Sequence, residues 1–288
     1  MTLIQKITQI VLSSRPISWV NTAYPFAAGY IMNSHHFDVT LWIGTLYFLI
    51  PYNLLMYGIN DVFDYESDLR NPRKGGVEGA KLHKPLHKAT LWAAIISNVP
   101  FVIYLFIAGS VAANVALLAL LFFVVAYSAP GLRFKERPIL DSFTSSTHFC
   151  GPLVYALILT GFHIQSWPII LAFFLWGMAS HAFGAVQDIK ADREGGIASI
   201  GTIWGAKATT RLSIALYTLS GALMLLLNGA GPWLALLAVP YIISIWPYRT
   251  LSDANCEQAN AGWKRFIYLN WFTGMIVTFA LISAYPFS

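Results

Sequence analysis

The 288-residue chain is 57% hydrophobic and only 11% charged, with a formal net charge of +5. Soluble domains carry about 25% charged residues, so the composition points to a membrane protein. A basic balance also suits nucleic-acid binding, but that needs a basic patch on a soluble fold; here the basic residues fall between apolar stretches, so no nucleic-acid partner is expected.

From the start of the chain, Met1 to Arg15 read as a short amphipathic lead containing Lys6 and Arg15. It lacks the compact apolar core and small-residue cleavage site of a signal peptide. A membrane crossing needs roughly 20 predominantly apolar residues. Nine stretches approach that: 16–33, 39–59, 91–109, 111–127, 139–162, 166–187, 209–228, 230–247 and 266–286. Several adjoin through loops of a few residues, which forces antiparallel helical hairpins, and the short alternating segments of a closed barrel are absent. The expectation is an all-α polytopic membrane protein, one domain over residues 1–288. Cys150 falls in an apolar stretch and Cys256 in a polar loop, and both read as free thiols.

Charge tests this topology independently. With nine crossings, the N-terminus and the loops after spans two, four, six and eight share one side. All 18 Lys and Arg residues fall there: Lys6, Arg15, Arg70, Arg73, Lys74, Lys81, Lys84, Lys88, Arg133, Lys135, Arg137, Lys190, Arg193, Lys207, Arg211, Arg249, Lys264 and Arg265. By the positive-inside rule that side, and the N-terminus with it, is cytoplasmic, and the chain is expected in the cell membrane.

Of the 13 acidic residues only Asp38 lies on the opposite side. Of the other twelve, six cluster in Asn60-Asp61-Val62-Phe63-Asp64-Tyr65-Glu66-Ser67-Asp68, at the end of span two, and in Asp188-Ile189-Lys190-Ala191-Asp192, at the end of span six. On one helix, residues four apart stack on one face, so Asn60, Asp64 and Asp68 share a face with Asp61 beside it, and Asp188 pairs with Asp192. Like charges at that spacing repel unless a cation sits among them. Mg²⁺ takes carboxylates, waters and phosphate oxygens, so the two acidic helix ends suit a metal–diphosphate site on the cytoplasmic side. Ordinary juxtamembrane acids are the alternative, and the better one for Glu66, Glu78 and Glu194. An ion-coupled transporter is another, but its acids usually sit near the bilayer midplane.

The loop after span four, Tyr127-Ser128-Ala129-Pro130-Gly131-Leu132-Arg133-Phe134-Lys135-Glu136-Arg137-Pro138, supplies complementary cations. Arg133 and Lys135, and beyond this loop Arg15 and Lys190, are candidate diphosphate clamps that would also stabilise a leaving group as it gains charge. Arg70, Arg73 and Lys74 serve equally, or touch anionic lipid. His83 and His87 flank Pro85 and read as solvated loop rather than a zinc pair. His148 and His181 fall inside spans, as packing residues or cavity lining. Asn114 and Asn228 lie near span ends and need no special role. Of the aromatic residues, 15% of the chain, some belong to interfacial belts and some are free to shield a carbocation.

The two acidic motifs resemble the signatures of the UbiA superfamily of intramembrane prenyltransferases, Asn-Asp-x-x-Asp-x-x-x-Asp and Asp-x-x-x-Asp, without departure. The resemblance covers essentially the whole chain. It implies nine helices around a central cavity and Mg²⁺-dependent ionisation of an allylic diphosphate held between the motifs. It gives Asn60, Asp61, Asp64, Asp68, Asp188 and Asp192 as metal residues, Asp64, Asp188 and Tyr127 as catalytic, and Arg15, Arg133, Lys135 and Lys190 as diphosphate-binding. The stretches 14–19, 58–68, 71–76, 133–138 and 187–194 resemble the lycopene elongase branch. That likeness implies dimethylallyl diphosphate as donor and lycopene, or a similar long polyene, entering from membrane lipid as acceptor. An aromatic prenyltransferase of quinone biosynthesis would share the metal site but add a dedicated Arg for a carboxylated acceptor. A transporter would show flux without covalent product, and a scaffold would tolerate loss of both motifs.

Overall fold

A computed structural model describes residues 1–70, 82–229 and 231–284, with the side chains of residues 67, 68, 70, 267 and 281–284 outside the described part. Asn71 to Gly76, with Arg73 and Lys74, and also Glu78 and Lys81, lie outside the described residues. The described chain is helical: α1 (Leu3–Ser13), α2 (Val20–Ser34), α3 (Val39–Leu49), α4 (Pro51–Phe63), α5 (Tyr65–Arg70), α6 (His87–Ala108), α7 (Val111–Ser128), α8 (Leu140–Thr160), α9 (Trp167–Val186), α10 (Ile189–Glu194), α11 (Ile200–Met224), α12 (Ala238–Ile245) and α13 (Asn260–Ala284). No strand occurs among the described residues.

Five helical segments among the described residues are long and apolar enough to cross a membrane: Val39–Phe63, Lys84–Ala108, Val111–Ser128, Ile164–Val186 and Gly231–Tyr248. The chain is therefore an integral membrane protein. Helices α2, α8 and α11 lie over other expected crossings but are shorter or more polar, as in the Asp141-Ser142-Phe143-Thr144-Ser145-Ser146 start of α8, and α13 lies over the last.

The chain divides into two compact units, residues 1–133 with 151–161, and residues 134–150 with 162–288. In the first, the expected second crossing is two helices. Pro51 has no N–H to continue the ladder, so the backbone breaks at Ile50 and the freed carbonyls need other donors. Asn53 Nδ2 donates to Phe48 O at 2.8 Å, to Leu49 O at 3.1 Å and to Thr22 Oγ1 at 2.7 Å, while Thr22 Oγ1 donates to Phe48 O at 2.7 Å. Around this break Phe26, Tyr47, Phe48, Tyr52 and Tyr155 pack ring against ring, with centroids 4.9–6.2 Å apart. Each such pair contributes about 0.5–1.5 kcal/mol beyond its buried area. The result is a stiff base under α4, whose far end carries the first acidic motif.

In the second unit, small residues bring helices close. A Cβ on Gly177 of α9 would sit 2.4 Å from Ser146 Oγ of α8, and Ser146 donates its hydroxyl to Phe174 O at 2.5 Å. Tyr217, Tyr241, Trp176 and Phe266 form the aromatic core of this unit. The expected crossing over 230–247 is a 3₁₀ turn, Gly231–Leu237, followed by α12. Cys150 and Cys256 are both buried free thiols.

Candidate active site

The first acidic motif does not run along a single helix. Helix α4 ends at Phe63, Asp64 occupies the C-cap at φ −100° and ψ 4°, and α5 begins at Tyr65. Asn60 and Asp64 still share a face, because Asp64 N–H donates to Asn60 O at 2.9 Å and Asn60 Nδ2 donates to Asp64 Oδ2 at 2.7 Å. Asp68 lies beyond that turn, on α5. Asn60 Nδ2 also donates to Ser128 Oγ at 3.0 Å, which ties the motif to the end of α7 beside the half-buried Tyr127.

These acids sit at a helix C-terminus, where the backbone dipole is already negative, so they need cations. Two arginines from distant parts of the sequence provide them. Arg15 Nη2 lies 3.0 Å from Asp61 Oδ1, with the Asp61 side chain fully buried and Arg15 17% exposed. The same guanidinium stacks on Tyr57, 4.3 Å from the ring centroid. Arg133 Nη2 lies 3.4 Å from Asp64 Oδ1. Both arginines hold left-handed backbone angles, φ 53° and φ 40° respectively, in which non-glycine residues are uncommon. The sequence placed Arg15 and Arg133 against diphosphate; the structure also sets each against a carboxylate of the first motif.

In the second unit, α9 ends at Val186 and Asp188 is the N-cap of the short helix α10. Asp192 N–H donates to Asp188 O at 2.8 Å, so the expected pair stacks one turn apart. Asp188 and Asp192 are both half-buried, while Lys190, between them, is exposed. Gln187 accepts a 2.5 Å hydrogen bond from Asn260 Nδ2 of α13, which fixes the chain just before the motif. Helix α10 is fastened to α11 by Arg193, whose Nη2 and Nε donate to Thr202 O at 2.7 and 3.2 Å. Arg193 Nη1 also meets Asp253 Oδ2 at 2.7 Å. The Ala206 N–H donates to Asp253 Oδ1 at 2.7 Å and, against the cost of desolvation, holds that carboxyl below its ordinary pKa, with Arg193 adding to the effect. Gly205 makes this possible, since its φ of +76° suits glycine and a Cβ there would sit 2.8 Å from Asp253 Oδ1. Lys135 lies half-buried in the 3₁₀ turn Phe134–Glu136 that precedes α8.

Among the described residues, no three His, Cys, Asp or Glu side chains converge as a metal cage. The described donors are instead carboxylate oxygens, of Asp61 and Asp64 in the first motif and of Asp188 and Asp192 in the second, and Mg²⁺ is usually held by a few carboxylates while substrate phosphates and waters complete its shell. His87 packs edge-on against Tyr65, with centroids 4.9 Å apart. His181 Nδ1 hydrogen-bonds Ser142 Oγ at 3.0 Å, and His148 is buried. Sequence reasoning missed Ser128, Asp141, Ser199 and Asp253. The Ser199-x-x-Thr202 spacing is a legible capping signal, whereas nothing local marks Asp141 or Asp253.

Residues 22–270 match the model of the UbiA prenyltransferase family. A curated lycopene elongase/hydratase of Corynebacterium glutamicum is 49% identical over 283 residues, covering 98% of this chain and 99% of that one. A C(50) beta-cyclic carotenoids biosynthesis protein of Dietzia sp. is 49% identical over 278 residues, covering 94% of this chain and 64% of that one. Among solved structures, a UbiA homolog from Archaeoglobus fulgidus bound to GPP and Mg²⁺ superposes with a TM-score of 0.69 at 16% identity, covering 93% of this chain and 99% of that one. At that identity the likeness carries the fold.

Proposed function

The chain belongs to the UbiA prenyltransferase family, and from that premise we propose that it transfers dimethylallyl groups from dimethylallyl diphosphate to the ends of lycopene. The observation that carries this reading is the 49% identity, over 98% of this chain and 99% of its relative, to a lycopene elongase/hydratase. The whole chain acts as one membrane domain with nine crossings, its N-terminus and active site on the cytoplasmic side. The partition of all 18 Lys and Arg residues supports that orientation.

In this reading Asn60, Asp61, Asp64, Asp68, Asp188 and Asp192 hold Mg²⁺ and, with it, the donor diphosphate. When bound, Mg²⁺ neutralises charge on the diphosphate oxygens and eases cleavage of the allylic carbon–oxygen bond. Arg15, Arg133, Lys135 and Lys190 bind the phosphate oxygens, and Tyr127, beside Ser128 at the end of α7, orients the leaving group. The electron pair of the broken bond leaves with the diphosphate. The terminal carbon–carbon double bond of lycopene then attacks the dimethylallyl cation, forming a carbon–carbon bond and a tertiary cation. That cation loses a proton or takes up water, and a second round at the other end completes a product with ten added carbons. Apolar walls keep water from the first cation.

The test is purified protein in liposomes with lycopene, dimethylallyl diphosphate and Mg²⁺, with and without chelator, and products weighed by mass spectrometry. Mg²⁺-dependent species carrying one and then two added five-carbon units are expected, and an added water mass identifies the quench. Turnover of an aromatic acceptor with none of lycopene would refute the carotenoid assignment while keeping the metal chemistry.

A further inference from the structure

We propose that Asp141 is a positioning residue, which holds the second aspartate pair in register with the turn that carries Lys135. This rests on the reading that Asp188, Asp192 and Lys135 bind Mg²⁺ and diphosphate.

Asp141 lies one residue into α8 and is fully buried. A buried carboxylate is costly unless its oxygens are bonded, and here both are. One accepts the Ser142 N–H at 2.6 Å, the other the Ile200 N–H at 2.8 Å, from 59 residues away. Ile200 is the first residue of α11, and its N–H is one of the donors that a helix start leaves without an intrahelical partner. Asp141 therefore pins the start of α11 to the start of α8.

The second acidic motif is hung from that same start. Ser199, the N-cap of α11, forms a capping box with Thr202 and donates its hydroxyl to Asp192 Oδ2 at 3.5 Å. The Ile197 N–H returns to Asp192 O at 2.8 Å, and Arg193 grips Thr202 O at 2.7 Å. On the other side, the Asp141 N–H donates to Arg137 O at 2.8 Å and the Arg137 N–H donates to Phe134 O at 3.1 Å, so two successive turns link Asp141 to the one that contains Lys135. The turn from Arg137 to Asp141 contains Ile139 at φ 72°, a strained angle for a β-branched residue, which persists only where surrounding bonds impose it. Ser142 extends the node to α9 through His181 Nδ1 at 3.0 Å.

The geometry needs an acceptor on both oxygens. An amide at 141 would present an N–H to one of two backbone N–H groups, so Asp141→Asn keeps the volume and breaks one anchor. The experiment uses full-length purified protein, with Mg²⁺ and inorganic pyrophosphate as the probe. It reads the half-saturating concentration by thermal stabilisation and backbone hydrogen exchange by mass spectrometry. Asp141→Asn is expected to raise half-saturation about tenfold, the low end of what lost orientation of metal-site groups costs. It should also speed exchange both in 188–202 and in 134–140. Asp38→Ala, which removes the N-cap of α3, should lower the thermal midpoint and leave half-saturation unmoved. Should Asp141→Asn fail to fold, Ser199→Ala decides: it must raise half-saturation in the same direction. Unchanged half-saturation in the variant that folds, or faster exchange confined to residues 141–143, would overturn the proposal. Wild type that does not bind Mg²⁺–pyrophosphate would overturn both this and the site reading. Wild type that binds it but does not alkylate lycopene overturns only the acceptor, and a tenfold shift in Asp141→Asn still supports the positioning role.

Discussion

Replacing Arg15 by Met should expose how strongly the first motif depends on a partner 46 residues away. The guanidinium sits 3.0 Å from an Asp61 carboxylate that is fully buried. At an effective dielectric constant of about 20 the pair attracts by about 5 kcal/mol, and much of that offsets the desolvation of Asp61. Removing Arg15 takes that cation from the buried carboxylate, which costs up to about 3–5 kcal/mol, and loses the stacking on Tyr57, worth about 0.5–2 kcal/mol. For a chain of this size each kcal/mol moves the midpoint by about 2–4 °C, so Arg15→Met should melt roughly 10 °C lower. The assay is tryptophan-fluorescence melting in detergent on the two single variants and on the double variant with Asp61→Asn. The double variant should recover about half the loss, because the buried charge is gone. A midpoint within about 2 °C of wild type for Arg15→Met, or a double variant no better than Arg15→Met alone, would refute the pairing as a source of stability.

At the proposed metal residues, Asp64→Asn and Asp188→Asn should each cut Mg²⁺-dependent prenyl transfer by more than about 100-fold while the protein still inserts in the membrane; full activity in either would remove that residue from the site. The Asp253 carboxyl titrates below its ordinary value of 3.8, so its stabilisation is complete at neutral pH and is lost as pH falls through the lowered folded value. Asp253→Asn should therefore flatten the acid limb of the melting profile below about pH 4. Because that pair is 40–45% exposed, the effect should stay under about 1 kcal/mol, and an unchanged acid limb would contradict it. Gly205→Ala should lose at least about 1 kcal/mol in the same melts, since alanine is strained at φ +76° and its Cβ would press on Asp253; a neutral result would mean the loop relaxes freely.

The helical fold and the family were legible in the sequence, and so was the placing of both acidic motifs at helix ends. Helical hairpins follow from apolar run lengths, and the family from two carboxylate motifs whose spacing is local. What escaped was of two kinds. Breaks such as Ile50–Pro51 and Asp64 lie inside runs whose periodicity continues across them; Pro51 is tolerated because Asn53 and Thr22 recapture the freed carbonyls, a compensation spread over 31 residues. Pairings such as Arg133 with Asp64, 69 residues apart, leave no local mark at all, since any basic loop residue would satisfy the charge rule. Asp141 combines both difficulties. It reads as one more acid near a helix start, and only the Ile200 N–H reveals why it is buried.

The arginine pairs also constrain how the first motif can work. Asn60, Asp61 and Asp64 gather negative charge at the C-terminus of α4, where the dipole adds to it. Arg15 and Arg133 balance that charge, yet in the proposed reaction both guanidiniums also face phosphate oxygens. A guanidinium presents five donors in a planar fork, so it can keep a carboxylate on one edge and take a phosphate oxygen on another. Arg133 suits this double use: its side chain is 30% exposed, against 8% for Asp64, at a separation of 3.4 Å. Arg15 is more enclosed and closer to its partner, which fits it better to setting Asp61 than to following a departing diphosphate. The two arginines that sequence treats alike thus divide by burial, with Arg15 as the anchor and Arg133 as the group with room to move.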